Sequence, residues 1–260
     1  MITFHAIVRA FEGEYDLIQR NAIGSWLRLN PTPEVLLYGV GETGAPGYAG
    51  EVGLSLYPLK YNHRGIPLVA WPIEHAAVTA SNDIRCLVNA DIILMEDFST
   101  AVNLVCAQFP EFLFITQRWG IPPDFQIDFD AAWQTALLSD LRKRGRAKHR
   151  GAVDYFCYRG DWLRDVPPFA VGRTSWDNWI IWKALDEGVP VIDGTLFTVC
   201  VHQDHAKKRV GAETNENRAI LTNDIGNFIV ATLDNATWML MPDGTFCETN
   251  APEPMRRKVK

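Results

Sequence analysis

Two adjacent acids, Glu96 and Asp97, directly follow a short uninterrupted apolar run, Ile92 to Met95. Such a run is the pattern of a strand buried on both faces of a sheet. In open α/β sheets, ligands bind beyond the carboxyl ends of the strands. Carboxylates placed there can hold a divalent cation, which in turn can hold a phosphate. The same pair could equally do no more than cap a helix starting near Ser99.

Other residues could also do chemistry. Thr174 or Ser175 can cap a helix over Trp176 to Glu187, which puts Asp177 in its first turn. There Asp177 either complements the helix dipole or, beside a cleft, serves as a general base. Gly172, Arg173, Asp177 and Asn178 gather polar groups beside Trp176, Trp179 and Trp182. That composition suits gripping a sugar, although the tryptophans are as readily core. His202 and His205 stand three apart after a last strong strand, Leu196 to Val201, and both could bind metal while one often stays structural. Glu42 lies just past a strand and could accept hydrogen bonds from a base or ribose. Arg85 could reach a phosphate or be a surface charge. Asp128 and Asp130 form a DxD outside any clear strand end and rank below Asp97.

The elements that must position these groups start with a strand over Ile2 to Phe11. A helix over Tyr15 to Leu29 follows, with Leu17, Ile18, Ala22, Trp26 and Leu29 on one face. Pro31 and Pro33 stop it, and Val35 to Val40 is the second strand. This β-α-β unit implies parallel strands and a right-handed crossover. Gly39 to Gly44 matches GxGxxG, but the following Ala-Pro-Gly does not easily form the helix which that fingerprint needs, so no NAD or FAD site is expected. Residues 51–66 show no clear period. Pro67 to Pro72 reads as a short strand, and Ala76 to Asn89 as a helix with a possible interruption or later start at Ser81 and Asn82. Beyond the acids the pattern gives a helix over Thr100 to Gln108 and a strand over Glu111 to Gln117. An irregular region at 118–150, with a helix over Leu137 to Arg144, reads as an acceptor-binding insertion. A strand over Asp154 to Arg159 and a helix from Asn215 follow, then short strands within 224–247 and a loose tail at 249–260.

Composition narrows the function classes. The chain has 260 residues, 47% of them hydrophobic and 22% charged, which suits one α/β domain with a sizeable core. A net charge of −6 argues against general nucleic-acid binding. The basic run Arg142 to Arg150 reads first as a solvated helix end or loop and second as an anion or membrane-surface contact. Five separated cysteines form no CxxC pair and read as reduced thiols. No secretory leader pattern and no apolar run of membrane-spanning length is present, so a cytoplasmic protein without a transmembrane segment is expected.

The order of these pieces resembles the nucleotide-sugar glycosyltransferases of the GT-A fold, close to family-2-like members. The resemblance covers roughly residues 2–220. It rests on the first strand, the helix ending Ser25 to Pro31, the strand Val35 to Val40, the stretch Asn89 to Asp97, the stretch Gly172 to Trp179, and His202. It implies an α/β, Rossmann-like GT-A domain over residues 1–248, with a mostly parallel central sheet and helices on both faces. The acceptor-side part would span roughly 118–220. The implied activity moves a sugar from a nucleotide-diphosphate sugar donor to a carbohydrate or other hydroxyl acceptor. Ala10, Phe11 and Glu42 would line the nucleotide pocket, with Arg85, Glu96 and Asp97 toward the diphosphate. Asp97 and His202 would hold Mn²⁺ or Mg²⁺, Asp177 would be the base, and Arg173, Trp176 and Asn178 would meet sugar or acceptor. The family's DxD motif becomes Glu96-Asp97-Phe98, which leaves a metal-independent enzyme open. A non-catalytic sugar- or nucleotide-binding relative and a nucleotidyltransferase of related fold are the alternatives.

Overall fold

The computed structural model describes residues 1–205, 216–225 and 228–257. A nine-stranded mixed sheet forms its centre, and most of its neighbouring strands run parallel. Strand β1 (Ile2–Ile7) leads through helix α1 (Gly13–Trp26) to the parallel strand β2 (Glu34–Tyr38), the β-α-β unit read from the sequence. Helix α2 (Ala45–Val52) and strand β3 (Ser55–Tyr57), parallel to β2, come next. The helix after the GxGxxG glycines was not expected. It forms because Gly44 takes φ +76° at its start, and because Pro46 falls in the first turn, where a missing N–H costs nothing.

The largest departure from the sequence reading follows. Pro67 to Pro72 is not a strand; helix α3 (Ala70–Thr79) begins within it, with Pro72 again in a first turn. The expected helix over Ala76 to Asn89 ends at Thr79, and Ile84–Val88 is strand β4, paired with β1 in the middle of the sheet. All five residues of β4 are buried. A strand covered on both faces shows no alternation, so its sequence cannot be told from a buried helical segment. Ile92 to Met95 is equally buried but belongs elsewhere. Only Ile92–Ile93 is a strand, β5, and it lies in a separate four-stranded sheet. Ile92 and Leu94 pack into the main core while Ile93 and Met95 pack into a second one, which explains the unbroken apolar run.

Helix α4 (Glu96–Gln108) then leads to strand β6 (Phe112–Ile115), and strand β7 (Arg118–Ile121) follows directly. Helix α5 (Trp133–Arg144) and the short strand β8 (Arg146–Ala147) return the chain to β9 (Tyr155–Arg159), which inserts antiparallel between β4 and β6. Helix α6 (Trp176–Asp186) precedes β10 (Val191–Asp193), parallel to β6, and β11 (Cys200–Gln203). Helix α7 (Glu216–Ile225), strands β12 (Phe228–Val230), β13 (Trp238–Leu240), β14 (Phe246–Glu248) and β15 (Met255–Arg257) complete the chain. The described part of the tail is tied down rather than loose. β15 pairs with β12, and Asn235 donates to the Pro252 carbonyl at 2.7 Å.

Residues alternate between the two faces of the central sheet. Phe4, Leu37, Cys86, Phe114 and Tyr155 pack under α1 and α4, with Trp26 and Phe98 as large fillers. Leu87, Leu113, Phe156 and Tyr158 pack on the other face beneath α3 and α6. Helices thus cover both faces of a mostly parallel sheet, as expected. Phe98 is fully buried against Phe4, Phe114 and Tyr155, and burial of such a ring contributes about 2–3 kcal/mol. Its apolar character is a core requirement. The small sheet, in the order β5-β11-β7-β8, packs against α5 around Ile93, Ile121, Trp133, Leu137 and Val201. The basic run is anchored as well: Arg144 pairs with Asp124 and Asp140, Lys148 with Asp204, and Arg150 with Asp193 and Asp234.

Candidate functional site

Strand β4 lies in the middle of the main sheet, and the residues just past its C-terminal end are Asn89, Ala90 and Asp91. Register explains how they meet the late histidine. β5 pairs antiparallel with β11 so that Ile92 faces His202, and Gln203 N–H donates to the Asp91 carbonyl at 3.2 Å. His202 Nε2 lies 3.4 Å from Asp91 Oδ2, and His205 Nε2 lies 3.1 Å from the same oxygen. Each imidazole is held from behind. His202 Nδ1 is 2.9 Å from Asp204 Oδ1, whose carboxylate also pairs with Lys148 Nζ at 2.6 Å. His205 Nδ1 is 3.5 Å from the Tyr15 hydroxyl, and Arg9 lies over the Tyr15 ring.

Helix α1 fixes this segment through polar groups on its buried face. Trp26 Nε1 donates to the Ile92 carbonyl at 2.8 Å, and Leu94 N–H donates to Ser25 Oγ at 3.1 Å. Gln203 joins Asn21 at 2.9 Å and the Ile18 carbonyl at 2.9 Å. Gln19 clasps both backbone groups of Arg9, just beyond β1. A helix that looked merely amphipathic in sequence therefore positions the segments after β1 and after β4.

On the far side, Asn89 Nδ2 donates to Asp154 Oδ1 at 2.9 Å, and Asp154 pairs with the buried Arg118. Burial disfavours the charged form of Arg118, and the carboxylates of Asp91, Asp204 and Asp177 oppose that effect. Asp177 occupies the first turn of α6 as its sequence pattern implied. Desolvation pushes its carboxyl above the ordinary range, against amide hydrogen bonds and the Arg118 charge that draw it down. Ser175 just before it takes φ +89°, a left-handed conformation uncommon for a residue with a side chain. Burial would also raise the Asp91 carboxyl, but hydrogen bonds from His202 and His205 hold it well below its usual value.

The remaining sequence candidates fall into four places. Ala10, Phe11 and Glu42 come together where β1 and β2 end: Phe11 N–H donates to the Thr43 carbonyl at 2.8 Å, Phe11 stacks on Tyr48, and Gly39 (φ +146°) sits tightly against Val8 and the Glu42 side chain. Arg173, Trp176 and Asn178 accompany Asp177 around the start of α6. Trp176 packs on Phe156, and Asn178 donates to the Ala231 carbonyl at 2.6 Å. Arg85 does not join them. It sits opposite Thr3 near the N-terminal end of β4, bonded to the Gly160 carbonyl and Asp161 and stacked over Tyr158.

Glu96 and Asp97 are also apart from the histidines. They form the first turn of α4, and Asp97 Oδ2 accepts the Val199 N–H at 2.8 Å while Glu96 accepts the Asn30 N–H at 3.1 Å. Burial raises the Asp97 carboxyl, as befits a group facing inward. α4 starts at Glu96, three residues before the expected start, and neither acid caps it: Met95 is the N-cap and both acids lie in the first turn. The sequence missed Asp91, Arg118, Asp154 and the full part of His205. The available signal was Asn89-Ala90-Asp91 directly after Val88.

The donor set of Asp91, His202 and His205 fits a divalent cation. One atom from each lies within 4.8 Å of the others, and Asp91 Oδ1 is buried with no hydrogen-bond partner among the described residues.

No protein-family model and no curated protein matches the sequence. Solved structures do. A Mycobacterium tuberculosis glucosyl-3-phosphoglycerate synthase, crystallised with Mn²⁺, UDP-glucose and phosphoglyceric acid, superposes with a TM-score of 0.54 at 14% identity, over 99% of this chain and 89% of its own. The chain has the GT-A fold. Staphylococcus aureus TarS 1–349 matches with a TM-score of 0.47 at 14% identity over 79% of this chain, which spans 58% of that one. A nucleotide-diphospho-sugar transferase structure described as putative, from Desulfovibrio desulfuricans, gives a TM-score of 0.49 at 12% identity, over 86% of this chain and 95% of its own. Among the described residues, no helix of this GT-A chain is long and apolar enough to cross a membrane.

Proposed function

We propose that the protein transfers a sugar from a nucleoside-diphosphate sugar to an acceptor hydroxyl. One observation carries the reading: a metal-competent Asp91–His202–His205 cluster stands just past the C-terminal end of the central strand, and the charge of Arg118 acts on both Asp91 and Asp177. Ligands of open α/β sheets bind at that end. The nucleotide would lie against Ala10, Phe11 and Glu42, where β1 and β2 end. The role first assigned to Asp97 passes to Asp91, with His202 retained, because Asp97 is engaged with Val199. Glu96 and Arg85 likewise leave the diphosphate site.

Mn²⁺ or Mg²⁺ bound at Asp91 and His202 would neutralise charge on the departing diphosphate. Asp177, as the base, would take the proton from the acceptor hydroxyl, and the desolvation that raises its carboxyl makes it the stronger base. Attack on the face opposite the leaving group inverts the anomeric carbon. Arg173, Trp176 and Asn178 would border the sugar or acceptor, and the acceptor side would be built from residues between about 118 and 220. Phe98 no longer argues for a binding-only relative, since it fills the core rather than the site.

The test is release of nucleoside diphosphate from UDP-, GDP-, dTDP- and related donors in the presence of pooled hydroxyl acceptors, followed by mass spectrometry of the acceptors. A glycosylated acceptor that disappears in Asp91→Ala and in Asp177→Asn supports the proposal. Donor binding without any product would limit the protein to recognition.

A further inference from the structure

We infer that His205 is a third protein ligand beside Asp91 and His202, and that the site takes up a borderline transition metal before any nucleotide arrives. Both imidazoles turn the same nitrogen, Nε2, to the same carboxylate oxygen, at 3.4 and 3.1 Å. Both Nδ1 atoms are engaged from outside, one by Asp204 and the other by Tyr15. A ligating histidine characteristically fixes its second nitrogen in this way, which sets the ring's orientation. The two partners are themselves held, Asp204 by Lys148 and Tyr15 by Arg9. This is a prearranged set of two nitrogens and one carboxylate.

The consequence concerns order and selectivity. A cation held by one carboxylate and one histidine depends on phosphate oxygens for much of its coordination. Three protein ligands with open positions hold a catalytic metal on their own. Imidazole-rich sets favour Fe²⁺, Co²⁺ and Zn²⁺ over Mg²⁺, which prefers oxygen ligands and retains its waters. The site is therefore metal-loaded first, and the diphosphate joins a cation already in place. That role rests on the transferase reading, whereas the binding itself does not.

The experiment uses the full chain, freed of metal by chelation, titrated with Co²⁺ alone and followed by visible absorption. The expected result is saturation by a single equivalent without nucleotide, resistant to millimolar Mg²⁺. His205→Ala should weaken binding by at least the ~10–100-fold that loss of an outer partner costs. Tyr15→Phe, which keeps the ring, should weaken it by ~10-fold with circular dichroism unchanged. Absence of a saturable site without nucleotide, or Co²⁺ affinity unchanged in His205→Ala, would overturn the inference. Binding of Co²⁺ by a protein that ignores every nucleotide sugar would sustain the metal site and remove the transferase reading. Uptake only together with a nucleotide sugar would do the reverse.

Discussion

Asp91 and Asp97 are six positions apart and face different tasks: Asp91 Oδ2 meets two imidazoles, while Asp97 Oδ2 accepts the backbone N–H of Val199. The turn between them carries the chain from the central sheet through β5 into α4. Asp91 lies past the end of β4 beside His202 and His205, and Asp97 ties the start of α4 to the Val199 backbone.

Removal of Asp97 should therefore cost stability before it costs chemistry. Asp97→Ala leaves the Val199 N–H without its partner and the first turn of α4 with Glu96 as its one acid, a loss of about 1–3 kcal/mol. Urea unfolding should show a lower midpoint, while metal affinity of the folded fraction stays within about twofold. A tenfold loss of metal affinity at unchanged stability would return Asp97 to the site.

Asp177 should behave in the opposite way. Asp177→Asn keeps the size of the side chain and should leave donor binding unchanged while lowering turnover by roughly 10²–10⁴-fold. Because desolvation raises its carboxyl, the acid limb of kcat should lie above the ordinary carboxylate range and vanish with the substitution. Steady-state kinetics across pH would check both effects.

His5 offers a pH test of the fold itself. Its ring is fully buried on β1, beside the Tyr158 hydroxyl, and desolvation followed by the Arg85 charge lowers its pKa to about 3. The unfolded chain, titrating near 6.5, then binds the proton that the folded chain refuses. Stability contributed by the neutral ring is complete above pH 6.5 and lost as pH falls toward 3, at about 1.4 kcal/mol per unit. His5→Gln should lack this slope, so its stability relative to wild type should rise as the pH drops from 6.5 to 4. A constant difference across that range would contradict the assignment.

Gly39 tests how tightly the crevice loops are set. A Cβ there would come within 2.8 Å of Val8 Cγ2 and 3.0 Å of the Val8 carbonyl oxygen, at a φ of +146°. Gly39→Ala should lower stability by about 1–3 kcal/mol and weaken nucleotide binding, because the loops carrying Ala10 and Glu42 must part. Thermal unfolding and nucleotide calorimetry would measure the two effects.

Much of the architecture was legible where local signals are strong. The amphipathic period of α1, the prolines after it and the paired strands gave the first β-α-β unit. The cap candidates Thr174 and Ser175 gave the start of α6 and hence Asp177 in its first turn, although the Ser175 side chain makes no cap hydrogen bond. The site was legible only in part, because β4 is buried on both faces and its continuous apolar pattern gives no period. Taking it for helix moved the strand end from Val88 to Met95, and the metal role moved with it from Asp91 to Asp97. Asp154, Arg118 and His205 are brought beside the end of β4 by β9, β7 and β11, whose pairing is long-range and leaves no mark in local sequence.

The most direct test is a thermal-shift screen of UDP-, GDP-, CMP- and dTDP-sugars, each with Mn²⁺ and with EDTA, on wild type and Asp91→Ala. The expected result is stabilisation by one donor class with Mn²⁺, lost both in EDTA and in the folded Asp91→Ala protein. Failure of every donor to stabilise wild type, or full stabilisation of Asp91→Ala by the same donor, would contradict a metal-assisted nucleotide-sugar site at Asp91.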